Sequence, residues 1–291
     1  MSYYTKEELE LIKAVSSSPS YKLAEDDKEF LKLYETRGVR LELDYLKAEL
    51  GIRRFGVEAT IAVFGSARIL PFDVAKKRLD ELIKSGANNG DLKRATKALE
   101  MSHYYEDARA LGRYIGLSGY GKDDTRVMVV TGGGPGIMEA ANRGSFEVGA
   151  KSIGLNIKLP HEQHPNPYIT PELCFLFHYF AIRKFHFFQR ARAMVVYPGG
   201  FGTMDELFEL LTLSQTGSMK QMPIVLVGKQ WWNNFLNIEF LLDEGVISKE
   251  DLELFKMVDS AKEAWSHIIN WYQNKGEPLF DIDQKSGLED E

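Results

Sequence analysis

At 291 residues, with 44% hydrophobic and 27% charged residues, the chain has the apolar mass for one large α/β core and an ordinary globular balance. A net charge of −6 argues against nucleic acid as the main partner, because a phosphate backbone needs a basic face. A single cysteine, Cys174, excludes a disulfide within the chain; flanked by Leu173 and Phe175, it reads as a small core residue.

Residues 1–56 read as a helical extension, with Phe30, Leu33 and Tyr34 and then Leu41, Tyr45 and Leu46 at helical spacing. The extension either caps a sheet, covers a pocket or joins a second copy. Its first residues hold no apolar signal core, and no apolar run approaches the ~20 residues of a membrane helix. A cytoplasmic protein with no membrane partner is expected.

The sheet is expected to begin with the strand 59–64, which runs straight into Gly65-Ser66-Ala67-Arg68. Ser66 therefore stands on a β–α turn of the kind that meets ligands in open α/β sheets. Residues 71–118 are rich in helix formers and broken once, at Gly86 to Gly90, which predicts two helices. A second strand, 126–130, leads into Thr131-Gly132-Gly133-Gly134-Pro135-Gly136-Ile137-Met138. This glycine turn opens a helix, but its spacing fits neither a dinucleotide fingerprint nor a Walker loop, which weakens an oxidoreductase reading. A third strand, 152–157, precedes a loop with prolines at 160, 165 and 167. His161 and His164 in that loop lack third and fourth ligands at metal-binding spacing, so no metal is expected. After a strand at 173–177, the helix expected over 180–190 carries Arg183-Lys184 between apolar neighbours, where a buried cation needs an anion.

The strand 193–197 then breaks at Pro198-Gly199-Gly200-Phe201-Gly202-Thr203-Met204-Asp205-Glu206, and Leu207, Leu210 and Leu211 resume at helical spacing. Glycines at 199, 200 and 202 bare a helix N-terminus, where backbone N–H groups and the helix dipole favour an anion such as phosphate. Thr203, with Glu206 three residues later, also reads as a capping box. Beyond it, 223–227 reads as a buried strand, 231–242 as one helix, 252–258 as a last strand and 261–272 as a last helix. The pattern predicts a Rossmann-like, doubly wound, mostly parallel α/β sheet flanked by helices. Residues 1–56 form its extension, 57–275 the main domain and 276–291 a polar tail.

The run Pro-Gly-Gly-x-Gly-Thr-x-x-Glu at 198–206 resembles the signature of the LOG ("Lonely Guy") family, whose members are often mislabelled lysine decarboxylases. The resemblance covers about residues 58–275 and takes in the companion turn Gly132–Met138, the Arg183-Lys184 pair and an acid, Glu162, on the proline loop. It implies hydrolysis of the N-glycosidic bond of a nucleoside 5′-monophosphate, AMP or a cytokinin-type N6-modified AMP, to free base and ribose 5-phosphate. No cofactor is implied, and no pyridoxal-phosphate lysine with its partners is visible. The resemblance implies Arg183 and Glu206 as catalytic residues. It implies Gly199, Gly200, Phe201, Gly202, Thr203 and Asp205 as substrate-binding, together with Gly133, Gly134, Glu162 and Lys184. Thr212 falls in a segment that closes over the substrate. A homodimer or larger homo-oligomer is expected, with Phe185, Phe187 and Phe188 at the contact.

Two ambiguities stay open at this level. A Glu206 held as a helix cap is less free for chemistry, and Arg183 either stabilises the leaving base or orients the substrate. Glu209, one turn beyond Glu206, reads as an ordinary helix acid. The alternative to an enzyme is a nucleotide-binding or sensing protein with the same fold and no turnover.

Overall fold

The computed structural model describes residues 3–159 and 164–280. The chain forms two compact units, Met1–Lys47 and Ala48–Glu291. In the first, α1 (Lys6–Ser16) starts at a true capping box: Glu8 N donates to Thr5 Oγ1 at 3.2 Å, and Thr5 N donates to Glu8 Oε2 at 2.7 Å. A short α2 (Lys28–Leu31) follows, and α3 (Arg37–Arg54) runs on into the second unit.

The second unit is a seven-stranded parallel sheet. Its elements are β1 (Ala59–Phe64), α4 (Phe72–Lys84), α5 (Asn89–Met101), α6 (His103–Gly116), β2 (Val127–Thr131), α7 (Ile137–Glu147) and β3 (Ser152–Ile157). They continue with β4 (Cys174–Phe177), α8 (Phe180–Gln189), β5 (Ala191–Val196), α9 (Phe201–Gln215), β6 (Ile224–Val227), α10 (Lys229–Phe235), α11 (Ile238–Asp243), β7 (Lys256–Val258) and α12 (Ala261–Asn274). The strand order is β4-β3-β2-β1-β5-β6-β7, and every neighbouring pair is parallel. The chain winds outward from β1 in one direction and then from β5 in the other. The crevice beyond the carboxyl ends of β1 and β5 is therefore the topological switch point, where such sheets take ligands.

Strand alternation divides the core between the two faces of the sheet. Ile61, Val63, Val129 and Val195 pack with Tyr105, Leu111, Ile137, Ala141 and Ile268 of α6, α7 and α12. Ala62, Phe64, Val130 and Val196 pack with Ile52, Phe187, Met204, Leu207 and Leu210 of α3, α8 and α9. Among the described residues, no helix is long and apolar enough to cross a membrane.

Three expected elements differ, each for a local reason. The helical region after β1 holds three helices rather than two, because Ser102, buried, turns its hydroxyl onto the Leu99 carbonyl at 2.6 Å and separates α5 from α6. The single helix expected over 231–242 is split into α10 and α11. Asn237 caps α11 by accepting from Phe240 N at 3.1 Å, and an N-cap residue is not itself helical. The last strand is only Lys256–Val258, since Glu250–Leu254 forms a 3₁₀ turn.

Candidate active site

The peptide at the crevice floor is tied across the sheet: Tyr197 N donates to the Phe64 carbonyl at 2.9 Å and Ser66 N to the Pro198 carbonyl at 2.9 Å. The helix after it, α9, begins at Phe201 with Gly200 as N-cap and no side-chain cap. Thr203 N and Met204 N donate to the Gly200 carbonyl at 3.0 and 3.1 Å. The amides of Phe201 and Gly202 lie ahead of those first helical bonds and have no acceptor within the helix. A Cβ on Gly200 or Gly202 would meet nothing within 4 Å, so the space over these amides is open. A Cβ on Gly199 would lie 2.1 Å from Thr203 Oγ1, so that glycine is required by close packing.

The capping box expected from Thr203 and Glu206 does not form. Because the N-cap of α9 is Gly200, three residues earlier, Thr203 lies inside the helix, buried under Gly199, and Glu206 stands one turn in. Helical side chains lean toward the N-terminus, which carries the Glu206 carboxylate toward the same crevice. Its side chain is only 4% exposed, and Oε2 has no hydrogen-bond partner among the described residues. Burial pushes the Glu206 carboxyl up to about 7, outweighing the downward pull of Lys184 and Arg183, with Asp205 adding a further upward push.

Arg183 and Lys184 both reach this acid, from α8, but differently. Arg183 Nε donates to the Leu155 carbonyl at 2.7 Å, the guanidinium lies 5.1 Å from the Phe187 ring centroid, and Nη1 is 3.9 Å from Glu206 Oε1. Burial pushes its guanidinium below the ordinary value, against the opposing pull of Glu206 and Asp205. Lys184 Nζ donates to Asp205 Oδ1 at 2.8 Å and to Glu209 Oε2 at 2.6 Å, and lies 3.6 Å from Glu206 Oε2. Burial works against its charge, but the bonds to Asp205 and Glu209 hold the ammonium above its ordinary value. Glu209 is thus not the free helix acid expected; it anchors the lysine. Asp205, Glu206 and Glu209 have carboxylate oxygens within 4.8 Å of one another, the spacing of a cation site, and the Lys184 ammonium serves all three.

The companion turn between β2 and α7 is closed by protein groups. Thr131 Oγ1 donates to Asn142 Oδ1 at 2.7 Å and accepts from Gly133 N at 3.0 Å. Asn166 Nδ2 donates to Asn142 Oδ1 at 3.0 Å and to the Gly134 carbonyl at 3.1 Å, while Asn166 N takes the Gly133 carbonyl at 2.8 Å. Ile137 N is satisfied by the Ser66 carbonyl at 3.1 Å. Gly136 has φ +73°, and a Cβ there would lie 2.3 Å from that same carbonyl oxygen.

Above the open turn lies a cleft of about 880 Å³. It gathers Ser66, Arg183, Gly199, Gly200, Phe201, Gly202, Thr203, Asp205 and Glu206 of the expected residues. Lys184, Gly133 and Gly134 do not line it; they act behind its wall. Thr212 lies far along α9, in a separate depression with Phe208 and Leu213, and Glu162 falls outside the described residues. Phe187 and Phe188, expected at a subunit contact, are core residues here, and only Phe185 of the three is exposed. Sequence reasoning missed Arg94, Lys97 and Met101 of α5 and Trp231 and Phe235 of α10, which complete the cleft. The signal available was periodicity: 94, 97, 98 and 101 share one helix face, and 231 and 235 are one turn apart.

Residues 138–268 match a family model described as possible lysine decarboxylase. A cytokinin riboside 5′-monophosphate phosphoribohydrolase of Mycobacterium tuberculosis (strain ATCC 25618 / H37Rv) is 38% identical over 79 residues, 26% of this chain and 41% of that protein. An Arabidopsis thaliana protein of the same name is 31% identical over 100 residues, 34% of this chain and 44% of that one. The chain thus spans under half the length of these relatives. Among solved structures, a molybdenum cofactor binding protein from Rippkaea orientalis aligns with a TM-score of 0.45 at 17% identity, covering 74% of this chain and 98% of that one.

Proposed function

We propose that the chain acts as the LOG-family proteins it resembles do, hydrolysing the N-glycosidic bond of a nucleoside 5′-monophosphate and releasing free base and ribose 5-phosphate. AMP, or AMP modified at N6, is the substrate we favour. The observation that carries this reading is the Glu206 carboxylate: buried, with one oxygen that has no hydrogen-bond partner among the described residues, one turn inside a bare helix N-terminus and lining the same cleft.

The amides at Phe201 and Gly202 take the 5′-phosphate, which fixes the ribose above α9. Cleavage of the C1′–N bond builds positive, oxocarbenium-like charge on the sugar, and the ionised Glu206 offsets it while accepting a proton from the attacking water. A group raised to about 7 is poised for that exchange near neutral pH. Arg183, pinned by the Leu155 carbonyl, holds Glu206 in place and offers its remaining N–H groups to the departing base. Lys184 donates hydrogen bonds to Asp205 and Glu209 and only approaches Glu206, which leaves Glu206 the acid of the three with a carboxylate oxygen free to bond substrate or water. We further propose a homo-oligomer, with the exposed Phe185 in the contact; light scattering returning a monomer mass at micromolar concentration would remove that element.

Incubating the protein with AMP, GMP, CMP, UMP and an N6-prenylated AMP, and separating released base by chromatography, tests the reaction directly. Base release from one of them, lost in Glu206→Gln, is the expected result. Tight binding of AMP with no base released would make the protein a nucleotide sensor instead.

A further inference from the structure

The phosphate end of the cleft has a charge problem that the glycine turn does not solve. A helix N-terminus offers only about half a positive charge, whereas a phosphate monoester carries close to two negative ones. The residues of the turn, Gly199 to Thr203, include no cation, and the nearest ionisable groups on α9 are the acids Asp205 and Glu206. Arg183 is committed to the Leu155 carbonyl and stands beside Glu206. Counter-charge for a bound phosphate must come from another part of the cleft wall.

That wall carries it. α5 presents Arg94, Lys97, Ala98 and Met101 to the cleft, one contiguous helix face that is cationic in its first half and apolar in its second. Arg68, just past the β1 turn, lines the same space and has no ion pair among the described residues. Arg94 pairs with Asp91, and Lys97 Nζ sits 3.0 Å from Glu100 Oε2. Both are exposed pairs between neighbours on the helix surface, which are weak and easily exchanged for a stronger anion. Both cations lie outside residues 138–268, the segment matched by the family model.

We infer that Arg94 and Lys97 of α5, with Arg68, recognise the phosphate of the substrate, so that this helix sets the preference for a nucleotide over a nucleoside. The inference rests on the reading of the Gly200 turn as a phosphate site. α5 supplies the long-range attraction and the second set of donors, and the α9 amides supply the fixed position. Elsewhere in the lining of the cleft Trp231 and Phe235, stacked with centroids 5.4 Å apart, form an apolar surface suited to a base rather than to an anion.

The test is calorimetric binding of ribose 5-phosphate and of adenosine to the full chain at low and moderate salt. It uses wild type, Arg94→Glu/Lys97→Glu, and Lys77→Glu/Lys84→Glu on α4 as a control with the same change in net charge. The α5 double variant should bind ribose 5-phosphate about tenfold more weakly and with a shallower salt dependence, and should bind adenosine as wild type does. The α4 control should stay within about twofold, because neither lysine lines the cleft and salt screens exposed charges that make no direct contact. Thermal melting confirms that each variant is folded, and Arg94→Gln/Lys97→Gln repeats the measurement with milder changes. Equal affinities for the α5 variant and the control would overturn the inference. Wild type that binds no ribose 5-phosphate would overturn it together with the phosphate reading. A loss of binding in the α5 variant, from a wild type that releases no base, would uphold the phosphate site and remove only the hydrolase.

Discussion

The two glycine turns follow β2 and β5, the strands that flank β1, and each opens a helix, yet one is filled and the other vacant of protein groups. After β2, the Gly133 amide, the Gly133 and Gly134 carbonyls and the first amide of α7 all have partners, supplied by Thr131, Asn166 and Ser66. After β5, the leading amides of α9 face a cleft, and a Cβ at Gly200 would meet nothing within 4 Å. A backbone polar group needs a partner from somewhere. Where the protein provides it, a glycine motif is architecture; where it does not, the motif is a binding site. The first turn also supports the second, since the Ser66 residue that caps α7 bonds through its own amide to Pro198.

If that contrast is right, the largest effect belongs to the open side. Glu206→Gln should lower the rate of base release by about a hundredfold or more, the scale for removing one transition-state stabiliser, while ribose 5-phosphate binding persists. A rate within a few-fold of wild type in a folded variant would leave Glu206 a structural acid.

The glycines themselves give the next test. Gly136→Ala puts a methyl group against the Ser66 carbonyl at a positive φ and should cost about 3 kcal/mol or more in urea unfolding. Gly200→Ala, at φ −100° with open space around it, should change stability by less than about 0.5 kcal/mol yet weaken ribose 5-phosphate binding. Equal stability losses at the two positions would erase the distinction between them.

Asn142→Ala should then cost about 2 kcal/mol, because Thr131, Ser152 and Asn166 each lose a buried partner. Its effect on base release at saturating substrate should be small by comparison.

The smallest effect is in pH. Glu206 is raised in the folded protein from 4.5 to about 7, so the folded state holds its proton more tightly than the unfolded chain. The stability from this group is complete below pH 4.5 and is lost as pH rises through about 7. Base release should run the opposite way, with kcat/KM rising through the same range as the carboxylate ionises. Glu206→Gln should flatten the stability trend, and Arg183→Ala, which removes a neighbouring cation, should move the acid limb of the rate profile upward.

Much of the architecture was legible in the chain because its signals are local. Short apolar runs, several of them ending in Gly or Pro, marked most of the parallel strands, and a bare glycine run before a helical pattern marked α9 and its anion-binding end. Glu206 and Arg183 were visible as members of one motif and one buried basic pair. What the chain could not reveal was decided by packing. Whether Thr203 and Glu206 cap the helix depended on where α9 begins, and that is set by Gly199 fitting under Thr203 and by the ties from β5 to β1. The lysine of the Arg183-Lys184 pair turned to Asp205 and Glu209 on α9, a helix that follows a full strand later. Arg94 and Lys97 stand about a hundred residues before the glycine turn whose cleft they line, and only the tertiary fold brings α5 to that cleft. Local periodicity specifies which face a helix has; only the tertiary fold specifies what that face looks upon.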